Sequence, residues 1–379
     1  MISWAAARCT AWTAAPSLPA VDVDVCRALG LVLAEPLTAL APLPSFDTAA
    51  MDGWAVRGPG PWTVSGRTLA GDPPPPPLVE GRAREVATGA QVPAGCDGVV
   101  PREEGALLGD ELTAAVPAGR HVRRTGEECA ADAPVLPAGT LLSPAGLGLA
   151  AAVGHDVLRV RPRPTVSALV TGDELLVHGL PGGGRVRDAV GPLLPGAVAR
   201  AGGLLLGVRR VGDRREELVE AVRSAPGQVV LTSGASSAGH ADHLAGALAD
   251  LGAEVLVDGV GVRPGHPQTL ARLPDGRLLA GLPGNPLAAL SALATVVAPL
   301  LAGLQGQPLP ALGSALLTCP VGGAPAGTRL VPVQVSGGLA RPTGHAGAAM
   351  LRGAALADAF AVVDHDRSTG DRVPLVPLG

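Results

Sequence analysis

The sequence predicts a multidomain α/β protein, and three observations support that prediction. The chain has 379 residues, which is more than a single hydrophobic core usually organises. Between residues 42 and 129, short apolar runs are cut by glycine and proline, a pattern typical of β structure. From residue 164, predicted strands alternate with predicted helices, which is typical of a parallel, doubly wound α/β domain.

Two segments before residue 164 are predicted to be helical. Residues 21–34 carry valine, leucine and alanine at helical spacing. Residues 136–154 return to a helical pattern, with a helix start at Ser143 and a stop at Gly154. We therefore expect a β-rich domain inserted into a helical one. The predicted domains are a discontinuous helical domain (1–41 and 130–163), the inserted β-rich domain (42–129), the α/β domain (164–305) and a small C-terminal β domain (306–379).

Strands and helices of the α/β domain follow each other closely along the chain. The predicted strands cover residues 165–171, 204–211, 228–232 and 277–282, and the predicted helices cover 192–202, 214–224, 241–251 and 286–304. Ligands of such sheets bind where loops leave the carboxyl ends of strands. Three candidate loops lie at such ends: residues 171–174, 232–242 and 282–286.

Charge and cysteine usage exclude several classes of function. The formal net charge is -4, lysine is absent, and the arginines form no basic stripe, so we expect no nucleic-acid partner. The five cysteines are scattered and without metal-ligand spacing, which favours reduced thiols over disulfides or a zinc site. The N-terminus lacks the pattern of a signal peptide. These features predict a cytoplasmic protein.

One apolar segment has the length of a membrane span. Residues 287–304 contain no charge. The segment is rich in alanine, contains Pro299, and lacks aromatic or basic flanks. We interpret it as a helix buried in a core or subunit interface, and expect no membrane partner.

The only asparagine of the chain, Asn285, lies between a predicted buried strand and a predicted helix. Gly284 precedes it, and Pro286 has the fixed φ that suits a first helical position. A helix N-terminus after a strand is a ready site for an anion or phosphate. The alternative is an ordinary strand–turn–helix in which the asparagine side chain caps the helix.

A loop of small residues over 232–239 is the second candidate for phosphate binding. Small residues let the backbone approach a phosphate, and hydroxyls such as those of Ser233 and Ser236 can donate to it. The loop is neither a Walker loop nor a dinucleotide fingerprint, and a plain surface loop remains the alternative. Asp242 follows, where a carboxylate suits either Mg²⁺ or a helix start.

A carboxylate pair ends the first predicted strand of the α/β domain. Asp173 and Glu174 follow a buried run, where two carboxylates are costly without partners. This position favours a functional site.

Several separated blocks resemble the molybdopterin molybdenumtransferase (molybdenum insertase) family, which includes the E domain of gephyrin. The resemblance covers nearly the whole chain, in family order. The blocks are Pro-Ser-Phe-Asp-Thr-Ala-Ala-Met-Asp-Gly-Trp-Ala-Val (44–56), Thr-Gly-Ala-Gln-Val-Pro (88–93), Thr-Gly-Asp-Glu-Leu (171–175), the serine loop (232–239), Arg-Pro-Gly-His-Pro (263–267) and Leu-Pro-Gly-Asn-Pro (282–286).

The resemblance implies an activity and an architecture. Members take adenylylated molybdopterin and molybdate, cleave the phosphoanhydride, and release AMP and molybdenum cofactor, assisted by a divalent cation, usually Mg²⁺. It implies four domains: an elongated helical domain, an inserted β domain, an α/β molybdopterin-binding domain and a C-terminal β domain. It also implies a homodimer whose active site joins the α/β domain of one subunit to the first two domains of the other.

The resemblance also assigns roles to individual residues. The catalytic positions would be Asp52, Glu174 and Asp242. The metal positions would be Asp52, Asp242 and Glu128. The substrate-binding positions would be Thr171, Asp173, Ser233, Gly234, Ser236, Arg263, His266, Gly284, Asn285 and Pro286.

Some positions differ from the family pattern. His266 stands where the family has a second lysine, Ala348 stands where a serine follows glycine, and the serine loop is altered. The leading hypothesis is an active molybdenum insertase. The alternative is a divergent, non-catalytic paralogue that binds molybdopterin or molybdenum cofactor as a carrier or regulator.

Overall fold

The structure, a computed structural model, describes residues 1–115, 119–234 and 243–378. The chain forms two compact units. The first contains Met1–Val21, Gly30–Ala34 and Val160–Gly379, and the second contains Asp22–Leu29 and Glu35–Arg159. Each unit is described below by itself.

The strands are numbered in chain order. They are β1 Ile2–Ser3, β2 Val21–Asp24, β3 Val32–Leu33, β4 Leu37–Thr38, β5 Thr48–Ala49, β6 Gly53–Val56, β7 Trp62–Thr68, β8 Arg82–Val86, β9 Gly98–Pro101, β10 Ala106–Leu108, β11 Glu111–Thr113, β12 Val122–Arg123, β13 Pro134–Leu136 and β14 Val157–Arg161. They continue with β15 Thr165–Thr171, β16 Leu175–Leu176, β17 Val186–Arg187, β18 Leu204–Val211, β19 Val229–Ser233, β20 Glu254–Asp258, β21 Val260–Arg263, β22 Thr269–Arg272, β23 Leu278–Leu282, β24 Gly313–Leu317, β25 Thr328–Ser336, β26 Leu339–Pro342, β27 Ala359–Val363 and β28 Arg372–Pro377.

The helices are numbered in the same way. They are α1 Trp4–Trp12, α2 Pro144–Ala152, α3 Leu194–Arg200, α4 Arg215–Ser224, α5 Leu244–Asp250, α6 Pro286–Ala292, α7 Ala298–Leu304 and α8 Arg352–Ala355. Short 3-10 turns cover Val25–Arg27 and Gly191–Leu193, and a π-helical turn covers Leu293–Val297.

The second unit contains a six-stranded sheet in the order β10-β11-β7-β8-β6-β9. Successive side chains of a strand point to opposite faces, and both faces of β6 are covered here. Trp54 and Val56 belong to one hydrophobic cluster, whereas Ala55 belongs to another. The short strands predicted for this region are therefore confirmed.

The predicted helix over residues 21–34 is wrong. The structure has β2, one 3-10 turn and β3 there. The alternation Val21-Asp22-Val23-Asp24 has the period of two that suits a strand, and Gly30 has a φ of 69°, which a helix does not allow. Among the described residues before 164, only α1 and α2 are α-helices, so the expected helical domain consists largely of short strands.

Helix α2 is confirmed, together with its start. The Ser143 hydroxyl accepts a hydrogen bond from the Gly146 amide at 3.1 Å, and Pro144 occupies the first turn. A serine cap followed by proline satisfies one free amide and removes another.

The α/β sheet has the strand order β18-β15-β19-β23-β22-β20. The first four strands are parallel, as predicted. However, β22 is antiparallel to β23, and β20 is antiparallel to β22. The prediction of a wholly parallel sheet is wrong at this edge. The connection from Arg272 to Leu278 is too short for the crossover that parallel neighbours need.

Hydrophobic cores cover both faces of this sheet, as a doubly wound arrangement requires. One core joins the sheet to α3, α6 and α7 and contains Val170 and Leu231. The other joins it to α4 and α5 and contains Leu169 and Val230. Because neighbouring residues of β15 and β19 belong to different cores, these central strands are buried on both sides, whereas the edge strands β18 and β20 are largely exposed.

The long apolar segment forms α6, a π turn and α7 without interruption. Among the described residues, Pro286–Leu304 is the helix long and apolar enough to cross a membrane, and 78% of its apolar 18-residue window is buried inside the protein. This burial agrees with the prediction of a core helix. Pro299 removes a backbone donor within the helix. The nearby Ala294 carbonyl accepts instead from the Arg8 guanidinium at 3.4 Å, and Trp4 Nε1 donates to Thr295 Oγ1 at 3.0 Å.

The C-terminal region forms a closed ring of five strands. Strand β25 pairs with β26, β26 with β24, β24 with β28, β28 with β27, and β27 with β25 again. Its core contains Ala315, Val333, Ala361 and Val373, all completely buried. The β structure predicted here is confirmed, and closure leaves these five strands without a free edge.

Candidate active site

A cavity of about 570 Å³ lies at the carboxyl ends of β15, β19 and β23. It brings together residues from all three loops that the sequence analysis selected. The predicted site residues that line it are Thr171, Glu174, Ser233, Gly234, Gly284, Asn285 and Pro286. Its volume lies within the range of about 300–1,000 Å³ typical of small-molecule sites.

The floor of this cavity is built by close backbone packing. The Thr171 hydroxyl donates a hydrogen bond to the Ser233 carbonyl at 3.0 Å. Gly234 has a φ of 105°, and a Cβ there would lie 2.4 Å from the Thr171 carbonyl oxygen. A Cβ on Gly284 would lie 3.3 Å from the Cα of Gly234. Glycine is therefore required at 234, and it lets the ends of the three strands meet.

The start of helix α6 differs from expectation. The Asn285 side chain makes no capping hydrogen bond. Instead, the Ala348 carbonyl accepts from the amides of Leu287 at 2.9 Å and Ala288 at 3.2 Å. A carbonyl oxygen thus occupies the position that an anion was expected to take at this helix N-terminus. The Asn285 amide, without a partner among the described residues, lines the cavity and is free for a ligand.

The two acids that end β15 have different surroundings. Glu174 lines the cavity. Asp173 accepts from the Asp213 amide at 3.4 Å, and the Asp173 amide donates to the Asp213 carboxylate at 2.9 Å. Asp173 therefore braces the loop beside β18, and it is not among the cavity-lining residues.

The cavity lining also contains residues of a charged cluster that the sequence analysis did not select. Asp188 accepts from the amides of Val190 at 3.0 Å and Gly191 at 2.9 Å through Oδ1. Its Oδ2 accepts from the Arg210 guanidinium at 2.8 Å. The carboxylate is nearly buried, with 10% of its side chain exposed. It caps the turn that leads into α3, and together with Arg187 it lines the cavity. An aspartate just before a predicted helix was the available signal.

The 263–267 loop approaches the cavity through one residue. Pro267 lines the cavity, whereas Arg263 and His266 are exposed and do not. Gly265 has a φ of 99°, and a Cβ there would lie 2.8 Å from the Ala288 carbonyl oxygen. The buried Gln268 side chain donates to the Gly265 carbonyl at 2.7 Å and holds the loop in place.

In the second unit, Asp52 is held by a single threonine. Its Oδ1 accepts from the Thr88 amide at 2.6 Å and from the Thr88 hydroxyl at 2.9 Å. The backbone hydrogen bond, followed by the side-chain one, lowers the pKa of Asp52, against a smaller effect of desolvation. The Oδ2 atom has no hydrogen bond or ion pair with a described residue. An ionised carboxylate with one free oxygen can bind a hard cation.

The structure does not test every predicted metal ligand. Glu128 is exposed in the second unit. Asp242 and Ser236 lie outside the described residues. Within residues 1–115, 119–234 and 243–378, no three histidine, cysteine or acidic side chains form a cluster that could hold a metal ion.

Family models match three consecutive regions of the chain. Residues 2–154 match the MoeA N-terminal region (domain I and II), residues 167–303 match a probable molybdopterin binding domain, and residues 314–378 match the MoeA C-terminal region (domain IV). The three regions follow one another in the order expected from the sequence blocks.

Curated relatives and solved structures give the same result. The chain is 31% identical to a molybdopterin molybdenumtransferase of Staphylococcus aureus over 75% of this chain and 71% of that protein. It is 33% identical to molybdopterin molybdenumtransferase 2 of Mycobacterium tuberculosis over 74% of each. The crystal structure of a molybdopterin biosynthesis MoeA protein from Pyrococcus horikoshii has a TM-score of 0.79 and 27% identity, covering 100% of this chain and 99% of that one. The chain therefore belongs to the molybdopterin molybdenumtransferase family.

Proposed function

We propose that this protein inserts molybdate into adenylylated molybdopterin and releases AMP and molybdenum cofactor. The observation that carries the proposal is the cavity at the sheet edge, into which seven of the predicted site residues converge from three separate loops. The curated relatives are named as transferases of this kind. The non-catalytic carrier is therefore not favoured.

The chemistry of the cavity suits a pterin phosphate. The Asn285 amide and the Ser233 hydroxyl are neutral groups that can hydrogen-bond to phosphate oxygens or pterin edges. Arg187 contributes a positive charge at the wall, which favours an anionic substrate. Glu174 lines the same cavity, and we assign it to the reacting centre.

Asp52 fits the role of a ligand to a divalent cation such as Mg²⁺. Its pKa is lowered, so it is ionised at neutral pH, and its Oδ2 makes no hydrogen bond or ion pair with a described residue. When bound, the cation would screen the charge that develops on the phosphoanhydride. Asp242 and Glu128 are proposed as further ligands on the family resemblance.

The same resemblance supports a homodimer as the active form. The scattered cysteines, all five of which are free, support a reducing, cytoplasmic setting. Size-exclusion chromatography coupled to light scattering measures the oligomeric state directly, and a monomer with full activity would contradict the proposed dimer.

The test of function is AMP release from adenylylated molybdopterin by the purified protein, with molybdate and Mg²⁺ present or omitted. We expect AMP release that depends on molybdate and is accompanied by active molybdenum cofactor. Binding of the pterin without AMP release would contradict the proposal and support the carrier. The variant to compare with the wild-type protein in this assay is Asn285→Ala, which should weaken pterin binding and leave the fold unchanged.

A further inference from the structure

A second cavity of about 500 Å³ lies beside the first in the same compact unit. Pro267 lines both cavities, so the two adjoin at this residue. The second cavity, called the nucleoside cavity below, is lined by residues of α5, β20 and the start of β22. Those used in the following argument are Leu248, Val255, Asp258, His266 and Thr269.

One end of the nucleoside cavity lies at the same edge of the sheet as the first cavity. Strand β20 is antiparallel to β22, and β22 is antiparallel to β23. Strand β20 therefore runs parallel to β23, and its last residue, Asp258, lies at the carboxyl end. Ligands of open α/β sheets bind outside this edge, so one elongated molecule can occupy both cavities.

The lining of the two cavities differs in chemistry. The first presents hydroxyl, amide and charged groups. The nucleoside cavity presents aliphatic side chains such as Leu248 and Val255, with the carboxylate of Asp258 at one end. Flat aromatic bases pack well against aliphatic walls of this kind.

The position of Asp258 suits a carboxylate that binds a ribose. Its carboxylate has no hydrogen bond or ion pair with any described residue. Glu254, on the same strand, differs because it pairs with Arg272 at 2.5 Å. In dinucleotide-binding folds, an acid near a strand end accepts hydrogen bonds from the ribose hydroxyls. Asp258 has the position and the free oxygens for the same contact.

We infer that the nucleoside cavity binds the adenosine half of adenylylated molybdopterin, with Asp258 accepting from the ribose hydroxyls. The inference rests on the proposed function, because it divides that substrate between the two cavities. The phosphoanhydride then lies over Pro267, next to the exposed His266 side chain. After cleavage, AMP leaves from the nucleoside cavity.

Two variants test the inference in the full-length protein. Val255→Trp fills the cavity from an exposed strand position, and Val208→Trp places the same side chain on another exposed strand as its control. We expect Val255→Trp to raise the Kd for AMP about tenfold or more and to raise the KM for adenylylated molybdopterin with kcat little changed, whereas Val208→Trp changes neither.

Asp258→Asn supplies the second, independent readout. The wild-type protein should bind AMP more tightly than 2′-deoxy-AMP by about tenfold, since the Asp258 carboxylate has no 2′-hydroxyl donor in the deoxy ligand. Asp258→Asn should abolish this difference, whereas Glu254→Gln should keep it. Isothermal titration calorimetry with the two nucleotides measures both ratios.

Failure of the inference and failure of the function give different results. If the wild-type protein releases AMP but Val255→Trp and Asp258→Asn keep wild-type KM and AMP affinity, the nucleoside cavity is overturned and the function stands. If the wild-type protein releases no AMP, the proposed function is overturned, and with it the inference.

Discussion

Two aspartates of the second unit are held by threonine in the same way, yet their outer oxygens differ. Asp47 Oδ1 accepts from the Thr125 amide at 2.8 Å and its hydroxyl at 2.9 Å. Asp52 Oδ1 accepts the same two bonds from Thr88. However, Asp47 Oδ2 forms an ion pair with the Arg124 guanidinium at 2.6 Å, whereas Asp52 Oδ2 makes no hydrogen bond or ion pair with a described residue and only feels the charge of Arg102.

The electrostatic consequence is similar at both positions but has different causes. Burial raises the pKa of Asp47, but hydrogen bonds from Thr125 and Arg124 outweigh it and lower the pKa overall. Hydrogen bonds from Thr88 are the largest influence on Asp52 and lower its pKa as well. Both carboxylates are therefore ionised at neutral pH. The same pair of hydrogen bonds from a threonine therefore has two different roles. At Asp47 it helps to hold a loop in place, and at Asp52 it orients a carboxylate whose second oxygen is exposed to solvent.

The largest expected effect comes from removing the charge of Asp52. Asp52→Asn keeps an acceptor for Thr88, so the fold should be unchanged, but it removes the ionised oxygen. We expect kcat/KM for AMP release to fall about 100-fold or more. Asp47→Asn is the matched control and should lower the melting temperature while keeping most of the turnover. Similar activity losses in both variants, at equal stability, would contradict the comparison.

The second prediction gives Asp52 the kind of arginine partner that Asp47 already has. Arg124 immediately precedes Thr125, and Ala87 immediately precedes Thr88. Ala87→Arg should place a guanidinium on Asp52 Oδ2 and reduce turnover by about as much as Asp52→Asn, since the oxygen is occupied.

Ala87→Gln has a similar length without the charge and should retain more activity. Isothermal titration with Mg²⁺ gives a readout separate from catalysis, and Ala87→Arg should weaken that binding. Unchanged Mg²⁺ affinity in a variant whose Asp52 is paired would show that Oδ2 is not a cation ligand.

The third prediction removes the arginine partner of Asp47. Arg124→Gln removes the cation from Asp47, whose side chain is 31% exposed, while that of Arg124 is 51% exposed. For such a solvent-exposed pair we expect the free energy of unfolding to fall by about 0.5 kcal/mol, with activity unchanged. Urea unfolding of the purified variant measures it. A loss above 2 kcal/mol would mean that Arg124 holds more of the loop than this ion pair.

The smallest expected effect is on acid stability. A carboxyl whose pKa is lower in the folded protein binds fewer protons there than in the unfolded chain, so stability rises with pH in that interval. Asp47 and Asp52 should thus stabilise the protein fully above their ordinary pKa of 3.8 and lose this contribution as pH falls through their folded values.

Carbon-13 titration of the side-chain carboxyls can follow each group. Thr88→Val should raise the pKa of Asp52 toward 3.8 by removing one hydrogen bond. Thr125→Val should do the same for Asp47, but less completely, because Arg124 remains. Equal responses would contradict the assigned role of Arg124.

Local periodicity predicted the central strands of the α/β domain well because they are buried on both faces. The strands Thr165–Thr171 and Leu204–Val211 have the predicted bounds. For residues 21–34 the helical period is misleading, because valine and alanine fit either period and the alternating aspartates favour a strand. Periodicity also missed the antiparallel edge, because strand direction depends on connections that carry no periodic signal.

The candidate site was predictable only where loops follow strands. The convergence of Thr171, Ser233 and Asn285 follows from three carboxyl ends meeting at one edge. The Asp188–Arg210 pair was not predictable, because it joins residues of separate elements through their side chains. The cap that the Ala348 carbonyl provides could not be predicted either, because every residue has a backbone carbonyl and the sequence does not show which amide it will accept from.

That carbonyl has a consequence for how position 348 can change. A backbone oxygen is the same in every amino acid, so replacing the Ala348 side chain leaves the amides of Leu287 and Ala288 satisfied. The oxygen reaches them through the path of the chain, which turns where the Met350 amide donates to the Gly347 carbonyl at 2.8 Å. Substitution of the side chain at position 348 should therefore leave the cap of helix α6 intact, whereas a one-residue insertion or deletion nearby would displace the capping carbonyl.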